Sequence, residues 1–557
     1  LKAFTKYTFL FSLLLACVLV FLVAYPGKNK QLLNGNNLPV TGFWNGFNGH
    51  MVVLECLGLQ EEASSLTLTI KDHAGVVIGE EFIEVQGSSH VILNKFGIAD
   101  RYGTVEVIPA SQQSEDSFSC QIMTYRMQAD GTVTYVTSSK FAEMFTGTSL
   151  GIFNSMNPDT NVVNPVYNWL SIYNAGNENF NATIKIFSQD GSHDAEKDLR
   201  VAGLRPGARM DYPLGHDRGQ IVGIYEISPD KEDLLYTAFL SRYSEMTPGN
   251  FNFSMVMNSS QGFTDSGMVP ASTMGPSFNW AELANITPET LAMYIEIFDS
   301  NGGLLKGGYQ ILKPYQQRHI FLNKYLGELA VGYFRVRSSG KIIAQSLNYG
   351  VDVVEPGRIP WAFNTSGGDG VYKEATFAVN TYLNSPNWLK IFALANAEGV
   401  ESGVAIRLVS DDGSEISLAG NSEHYFYGSK DIPVHEFTGP DFSGYVTITS
   451  LQEEWYFQAS LVRVYTGGSS SQRRERSMDR SMKDLSARNA NQRTSFISTM
   501  TSTSSVIDPF VRSSSNIEEF PFEIMEPFPF ELDPDGFFPP PPFGPPVPMP
   551  MPPGGGR

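Results

Sequence analysis

The stretch Thr183–Ser192, TIKIFSQDGS, decides how this chain is read. Ile184 and Ile186 face one way, the period of a strand with one buried face, and Asp190-Gly191 turns the chain. The same pattern recurs as TLTIKDHAG at Thr67–Gly75, YIEIFDSNGG at Tyr294–Gly303 and AIRLVSDDGS at Ala405–Ser414. The turn glycines Gly75, Gly191, Gly302 and Gly413 recur at an interval of about 111 residues, the first interval slightly longer than the other two. A fixed period of this size predicts four copies of one domain-sized unit. Each copy is long enough to bury its own core, unlike the roughly 20–50-residue units of solenoids, which must stack to fold.

Further landmarks keep the same register. A second strand motif begins at Gly103, Gly223, Gly332 and Gly444, each following its turn glycine at a nearly constant distance. A third strand ends in tyrosine: Cys120–Tyr125, Ala238–Tyr243, Ala344–Tyr349 and Ala459–Tyr465. His90–Phe96, HVILNKF, answers His319–Tyr325, HIFLNKY. Trp169, Trp280 and Trp388 each follow an asparagine and open a strand. The same place in three copies points to packing rather than to a ligand platform. The expected fold is all-β: four tandem β-sandwich repeats of about 111 residues over 40–149, 150–262, 263–370 and 371–468.

The first three units close with a hairpin, turning at Gln128–Gly131, Glu245–Gly249 and Val353–Gly357. The fourth stops at Tyr465 without a closing strand. Thr494–Val511, TSFISTMTSTSSVIDPFV, is the stretch of the tail rich in Thr, Ile, Val and Phe, and so the candidate for that strand. The first expectation is that it stays disordered; the alternatives are that it folds back and adds the strand, or that the segment of a second molecule supplies it.

Lys2 and Lys6 precede an apolar run, Tyr7–Tyr25, with no charge. Nineteen residues at about 1.5 Å each nearly cross a bilayer core, so residues 1–26 read as a signal anchor, with a cleaved signal peptide as the alternative. The chain begins at Leu1 rather than methionine, which suggests a non-standard start or a fragment. Residues 27–39 form a polar linker. Residues 469–557 are low in complexity: Ser- and Arg-rich, then acidic and rich in Pro and Phe, with FPFE at Phe520–Glu523 and again at Phe528–Glu531. Such proline density cannot join a sheet ladder and predicts a disordered or polyproline II end.

A formal net charge of −19 over 557 residues argues against nonspecific nucleic-acid binding. The eight histidines form no zinc spacing, and no nucleophile elbow, P-loop or dinucleotide fingerprint stands in a suitable context. Acidic turns such as Ser410–Ser414 offer one or two acidic residues where a calcium loop draws six to eight oxygens from several, and Asp, Asn and Gly are also what a hairpin turn demands. No catalytic, cofactor-binding or metal-ligating residue is therefore assigned. Of three cysteines, Cys17 lies in the apolar segment, while Cys56 and Cys120 fall in an early and a late strand of the first unit. They form either a disulfide or a pair of buried thiols.

By period, strand count and turn chemistry, Val40–Gly468 resembles the tandem immunoglobulin-like or fibronectin-like β-sandwich arrays of bacterial surface proteins, at the level of architecture. The resemblance implies a non-enzymatic exported or cell-surface protein, secreted or membrane-anchored, with its repeats outside the cytoplasm. Its role would be structural, adhesive or ligand-binding. The membrane would be a partner through residues 7–25 if these stay uncleaved, and whether a glycan or a protein is bound is left open. Such repeats, strung as beads in a row, would hold the tail away from the membrane. Two rival readings are a carbohydrate-active enzyme or its glycan-binding module, and a stalk whose working part is the Pro/Phe-rich tail.

Overall fold

The structure, a computed structural model, describes residues 40–501 apart from 59–62, 110–117, 128–132, 142–143, 159–165, 216–221, 248–249, 274–275, 352–357, 360, 369–372, 382–384, 394–401, 417–422, 427, 441, 453–456 and 467–493. The apolar segment 7–25, the linker, the turns Gln128–Gly131 and Val353–Gly357 and the Pro/Phe-rich tail lie outside the described residues. The described chain is all-β and antiparallel throughout.

The strands fall into consecutive groups. The first holds β1 (Val40–Asn45), β2 (Met51–Gly58), β3 (Ser64–Asp72), β4 (Val77–Val85), β5 (Ser88–Ile92), β6 (Tyr102–Pro109), β7 (Phe118–Met127) and β8 (Val133–Lys140). Next come β9 (Ser149–Asn154), β10 (Val166–Asn174), β11 (Phe180–Ser188), β12 (Leu199–Leu204), β13 (Arg209–Leu214), β14 (Val222–Pro229), β15 (Tyr236–Thr247) and β16 (Asn250–Asn258). The third comprises β17 (Phe263–Asp265), β18 (Val269–Ser272), β19 (Ser277–Asn285), β20 (Leu291–Asp299), β21 (Leu304–Leu312), β22 (Gln317–Phe321), β23 (Val331–Gly350) and β24 (Ala362–Ser366). The last comprises β25 (Glu374–Asn380), β26 (Asn387–Ala393), β27 (Ser402–Ser410), β28 (Glu415–Ile416), β29 (Glu423–Phe426), β30 (Ser429–Pro433), β31 (Ser443–Ser450), β32 (Phe457–Thr466) and β33 (Thr494–Thr501).

The first group forms two sheets, ordered β1-β6-β3-β4 and β5-β2-β7-β8. The second gives β9-β14-β11-β12 and β13-β10-β15-β16, the same order displaced by eight strands. In the third, the twenty-residue β23 runs through both layers: Gly332–Ser338 pairs with β20 and Ile342–Gly350 with β19. The fourth gives β25-β31-β27 and β30-β26-β32-β33. Alternation buries one face of each sheet against the other. The resulting cores draw on both layers, with Leu54, Leu68, Val105 and Ile122 in the first and Leu170, Ile184, Ile227 and Leu240 in the second. Leu283, Ile295, Phe334 and Ala344 serve the third, and Leu389, Ile406, Val446 and Leu461 the fourth.

The strand-and-turn motifs that open the sequence argument are nine-residue strands in all four cases, β3, β11, β20 and β27. Each ends in a turn closed by the same two backbone bonds. Gly75 N donates to Asp72 O, Gly191 N to Ser188 O, Gly302 N to Asp299 O and Gly413 N to Ser410 O, while the strand's last amide donates to the carbonyl four residues on. The four glycines have φ of +83, +88, +82 and +83°, a region that side chains with a Cβ rarely enter. Cys56 and Cys120 face each other across β2 and β7 as a disulfide, with Cα atoms 4.1 Å apart.

Of the candidate closing segment Thr494–Val511, the structure describes Thr494–Thr501, as a strand beside the fourth group. β33 pairs antiparallel with β32, setting Met500 opposite Leu461 and Ile497 opposite Val464. It takes the edge that β8, β16 and β24 take beside β7, β15 and β23. These four closing strands lie against one another in turn, β8 on β16, β16 on β24, β24 on β33 and β33 on β8.

Candidate functional site

A row of beads would leave the first and fourth groups apart; here they touch, and the contacts close on themselves. The reason is one docking arrangement used at every junction. The turn after each nine-residue strand meets the first residue of a short strand in the next group. Arg209 N donates to His73 O at 2.8 Å, Gln317 N to Gln189 O at 3.0 Å and Ser429 N to Ser300 O at 2.9 Å. The fourth turn reaches the first group, where Ser88 N donates to Asp411 Oδ1 at 2.8 Å and the Ser88 hydroxyl to Asp411 Oδ2 at 2.9 Å. Gly191 is needed twice over: its φ is positive, and a Cβ there would sit 2.1 Å from Pro314 O of the next group.

Beneath the turns, the junctions are of two kinds. Between the second and third groups Arg242 and Glu282, each about 1% exposed, form an ion pair at 3.3 Å. Glu282 also accepts from Asn154 Nδ2 at 2.9 Å and Gln345 Nε2 at 2.8 Å, with His319 Nε2 at 3.7 Å. Arg242 donates further to Asn168 Oδ1 and to the Tyr349 hydroxyl. Between the fourth and first groups Arg463 meets Glu55 at 3.2 Å, again fully buried. Glu55 takes His90 Nε2 at 2.9 Å and the Gln121 amide, while Arg463 donates to Asn387 Oδ1 and Ala378 O.

Burial alone would raise both carboxyls. For Glu55, Arg463 with His90 and Gln121 outweighs burial and holds it down at about 2. Arg242, with His319, Asn154 and Gln345, does the same for Glu282. Burial pushes His319 below the ordinary histidine value in spite of Glu282. Both carboxylates are ionised and spent on hydrogen bonds inside a closed interface. That arrangement holds two surfaces in one register; it presents no free acid or base to a substrate.

Among the described residues the other two junctions carry no such pair. Arg209 lies between the Phe43, Tyr102 and Phe239 rings and donates to the Trp44 and Gly103 carbonyls, while the Tyr173 hydroxyl reaches Glu106, which Lys71 also holds at 2.6 Å. Where the third group meets the fourth, Phe392 packs edge-on to Tyr333, and Met268 N donates to Gln458 Oε1.

Trp280 lies tilted against Phe321, ring centroids 4.7 Å apart, and packs against the core that the second group shares with Leu347 and Tyr349 of the third. Trp388 is buried with Val462 against Trp361 and Phe363, and Trp169 is half-buried between Pro213 and Ser241. Among the described residues no cluster of three His, Cys, Asp or Glu is placed to hold a metal. Sequence reasoning missed the Arg–Glu clusters. Their signal was present as a lone charge inside an apolar strand, Glu55 in MVVLECL and Arg463 in SLVRVY. The glutamate recurs two units further along the chain, at Glu282, and the arginine two units earlier, at Arg242.

No known protein family matches this chain, and no curated protein matches it in sequence.

Proposed function

We propose that the chain is a non-enzymatic, exported structural protein built from four copies of one two-sheet unit, closed into a rigid platform for ligand binding or adhesion. The strand order of the unit, β1-β6-β3-β4 over β5-β2-β7-β8, differs from the A-B-E-D and C-F-G order of immunoglobulin domains. The reading is therefore of a sandwich with its own topology, similar in layering to the repeats of bacterial surface proteins. The observation that carries it is the closure itself: Ser88 on Asp411 and Arg463 on Glu55 join the first group to the last. Charged side chains that a catalytic site would leave facing a cleft are consumed there. The Cys56–Cys120 disulfide supports an oxidising compartment, as does the apolar segment 7–25. Alkylation of intact cells that make the protein, followed by mass spectrometry without reduction, tests the placement. Cys56 and Cys120 should be linked and unlabelled; free, alkylated thiols on both would overturn export.

A further inference from the structure

Outermost beside each nine-residue hairpin strand lies an edge: β4, β12, β21, and β28 with β29. An unpaired edge offers a row of backbone donors and acceptors, and proteins blunt it by shortening or charging it. β12 has six residues, β28 two and β29 four. β4 has nine, and carries Glu80, Glu81 and Glu84. β21, LLKGGYQIL, also has nine, and its one charge is Lys306. Leu304, Leu305, Tyr309 and Ile311 are exposed at 54, 43, 47 and 66%. Among the described residues its one strand partner is β20.

We propose that β21 is a homodimer interface, where the β21 of a second copy adds antiparallel across a two-fold axis at Gly308. Side chains alternate along a strand, so Leu305, Gly307, Tyr309 and Ile311 share the outer face. With Gly308 opposite its own copy, Leu305 lies opposite Ile311, and Gly307 opposite Tyr309. Both apolar pairs match, and each tyrosine ring covers the bare backbone of the partner's glycine. Lys306 faces Gln310, so no like charges are opposed. Tyr309 is oriented for this by Tyr294, 4.8 Å away on β20, which Arg337 covers at 5.3 Å. The same pairing on β4 would centre on Glu81, which Lys95 already holds at 2.6 Å, and would set Glu80 opposite Phe82 and Glu84 opposite Ile78, so the face these four share offers no matched apolar pair. A nine-residue pairing sits at the small end of interfaces, below about 1,200 Å², the class of weak and transient contacts.

Sedimentation velocity on the full chain in mild detergent, over roughly 1–100 µM, tests this. The expected result is a monomer–dimer equilibrium that Ile311→Lys weakens by at least about tenfold, while Phe82→Lys on β4 leaves it unchanged. In a Cys17→Ser background, Leu305→Cys with Ile311→Cys should give a reducible dimer that neither single variant gives. Monomer throughout the range overturns the proposal, as does a dimer indifferent to Ile311→Lys, the result expected if the apolar segment 7–25 drives association. Single variants that cross-link as well as the pair overturn the register. A monomer that captures an extended peptide or a glycan on this edge overturns the second copy as occupant.

Discussion

Glu282 and Glu55 sit in similar surroundings, but Arg242 reaches Glu282 across 40 residues of chain and Arg463 reaches Glu55 across 408. Closing a loop costs about 0.6 kcal/mol per doubling of its length, so the tenfold longer closure costs about 2 kcal/mol more. The two sites also differ in bracing. Beside Glu55, Cys56 and Cys120 tie β2 to β7; beside Glu282, the facing residues are Leu283 and Ala344, an ordinary apolar pair. The disulfide lies in the group that must receive the far end of the chain. A pre-formed acceptor lowers the ordering left for the closing step.

Removing one partner of a buried pair tests this contrast most severely. Glu282→Ala leaves Arg242 buried without its counter-charge and should cost about 3–5 kcal/mol, whereas Glu282→Leu with Arg242→Leu should cost far less. Glu55→Ala should match Glu282→Ala in urea titrations read by hydrogen exchange on β2 and β19. If Glu55→Ala costs only a few tenths, the closing junction is wet in solution and the ring reading fails.

Cys56→Ser with Cys120→Ser opens a link spanning 64 residues and should cost about 4 kcal/mol. The loss should appear in exchange rates of β2 and β7 and leave β19 and β23 unchanged. An equal loss in the third group would mean that the disulfide braces the whole assembly.

Acid should act in two stages. Burial, then Arg126, lowers His50 to about 4, and burial lowers His319. Both take up a proton less readily in the folded chain than in the unfolded one, so the unfolded chain is protonated first. Their contribution is complete above about pH 6.5 and falls as pH drops, with His50 alone accounting for about 3 kcal/mol by pH 4. Glu55 and Glu282, held at about 2, stabilise fully above their ordinary value of 4.5, and that share is lost as pH falls towards 2. Thermal melts should therefore decline from pH 6.5 and steepen below 4.5. His50→Gln should flatten the first stage in the first group only.

The smallest effect concerns the closing strands. Deleting 494–557 bares the edge of β32 and should weaken the fourth group by about 1–3 kcal/mol. Unchanged exchange in β26 and β32 would show that β33 contributes nothing to the sheet.

Much of the fold was legible because it is local and recurs. Alternation marks β3, β11, β20 and β27; glycines with positive φ mark their turns; and a closing strand absent at Tyr465 made Thr494–Val511 a candidate, of which Thr494–Thr501 pairs with β32. The two cysteines fell in facing strands of one unit. The candidate site was not legible, because each cluster takes its residues from two units. A lone Glu55 in an apolar strand reads as a flaw until Arg463 is beside it.

The sequence by itself determined the period, the strands, the turns and the disulfide candidates, since each depends on residues within one unit and repeats along the chain. Only the tertiary structure decided that the units close rather than extend. That choice rests on few contacts: Asp411 against Ser88, Arg463 against Glu55, and the four closing strands against one another. It also decided which strands stand at sheet edges, since nothing in the local pattern of the nine-residue β4 or β21 says that it pairs on one side only. Periodicity records what each unit does to itself; contacts between units depend on surfaces that no local pattern encodes.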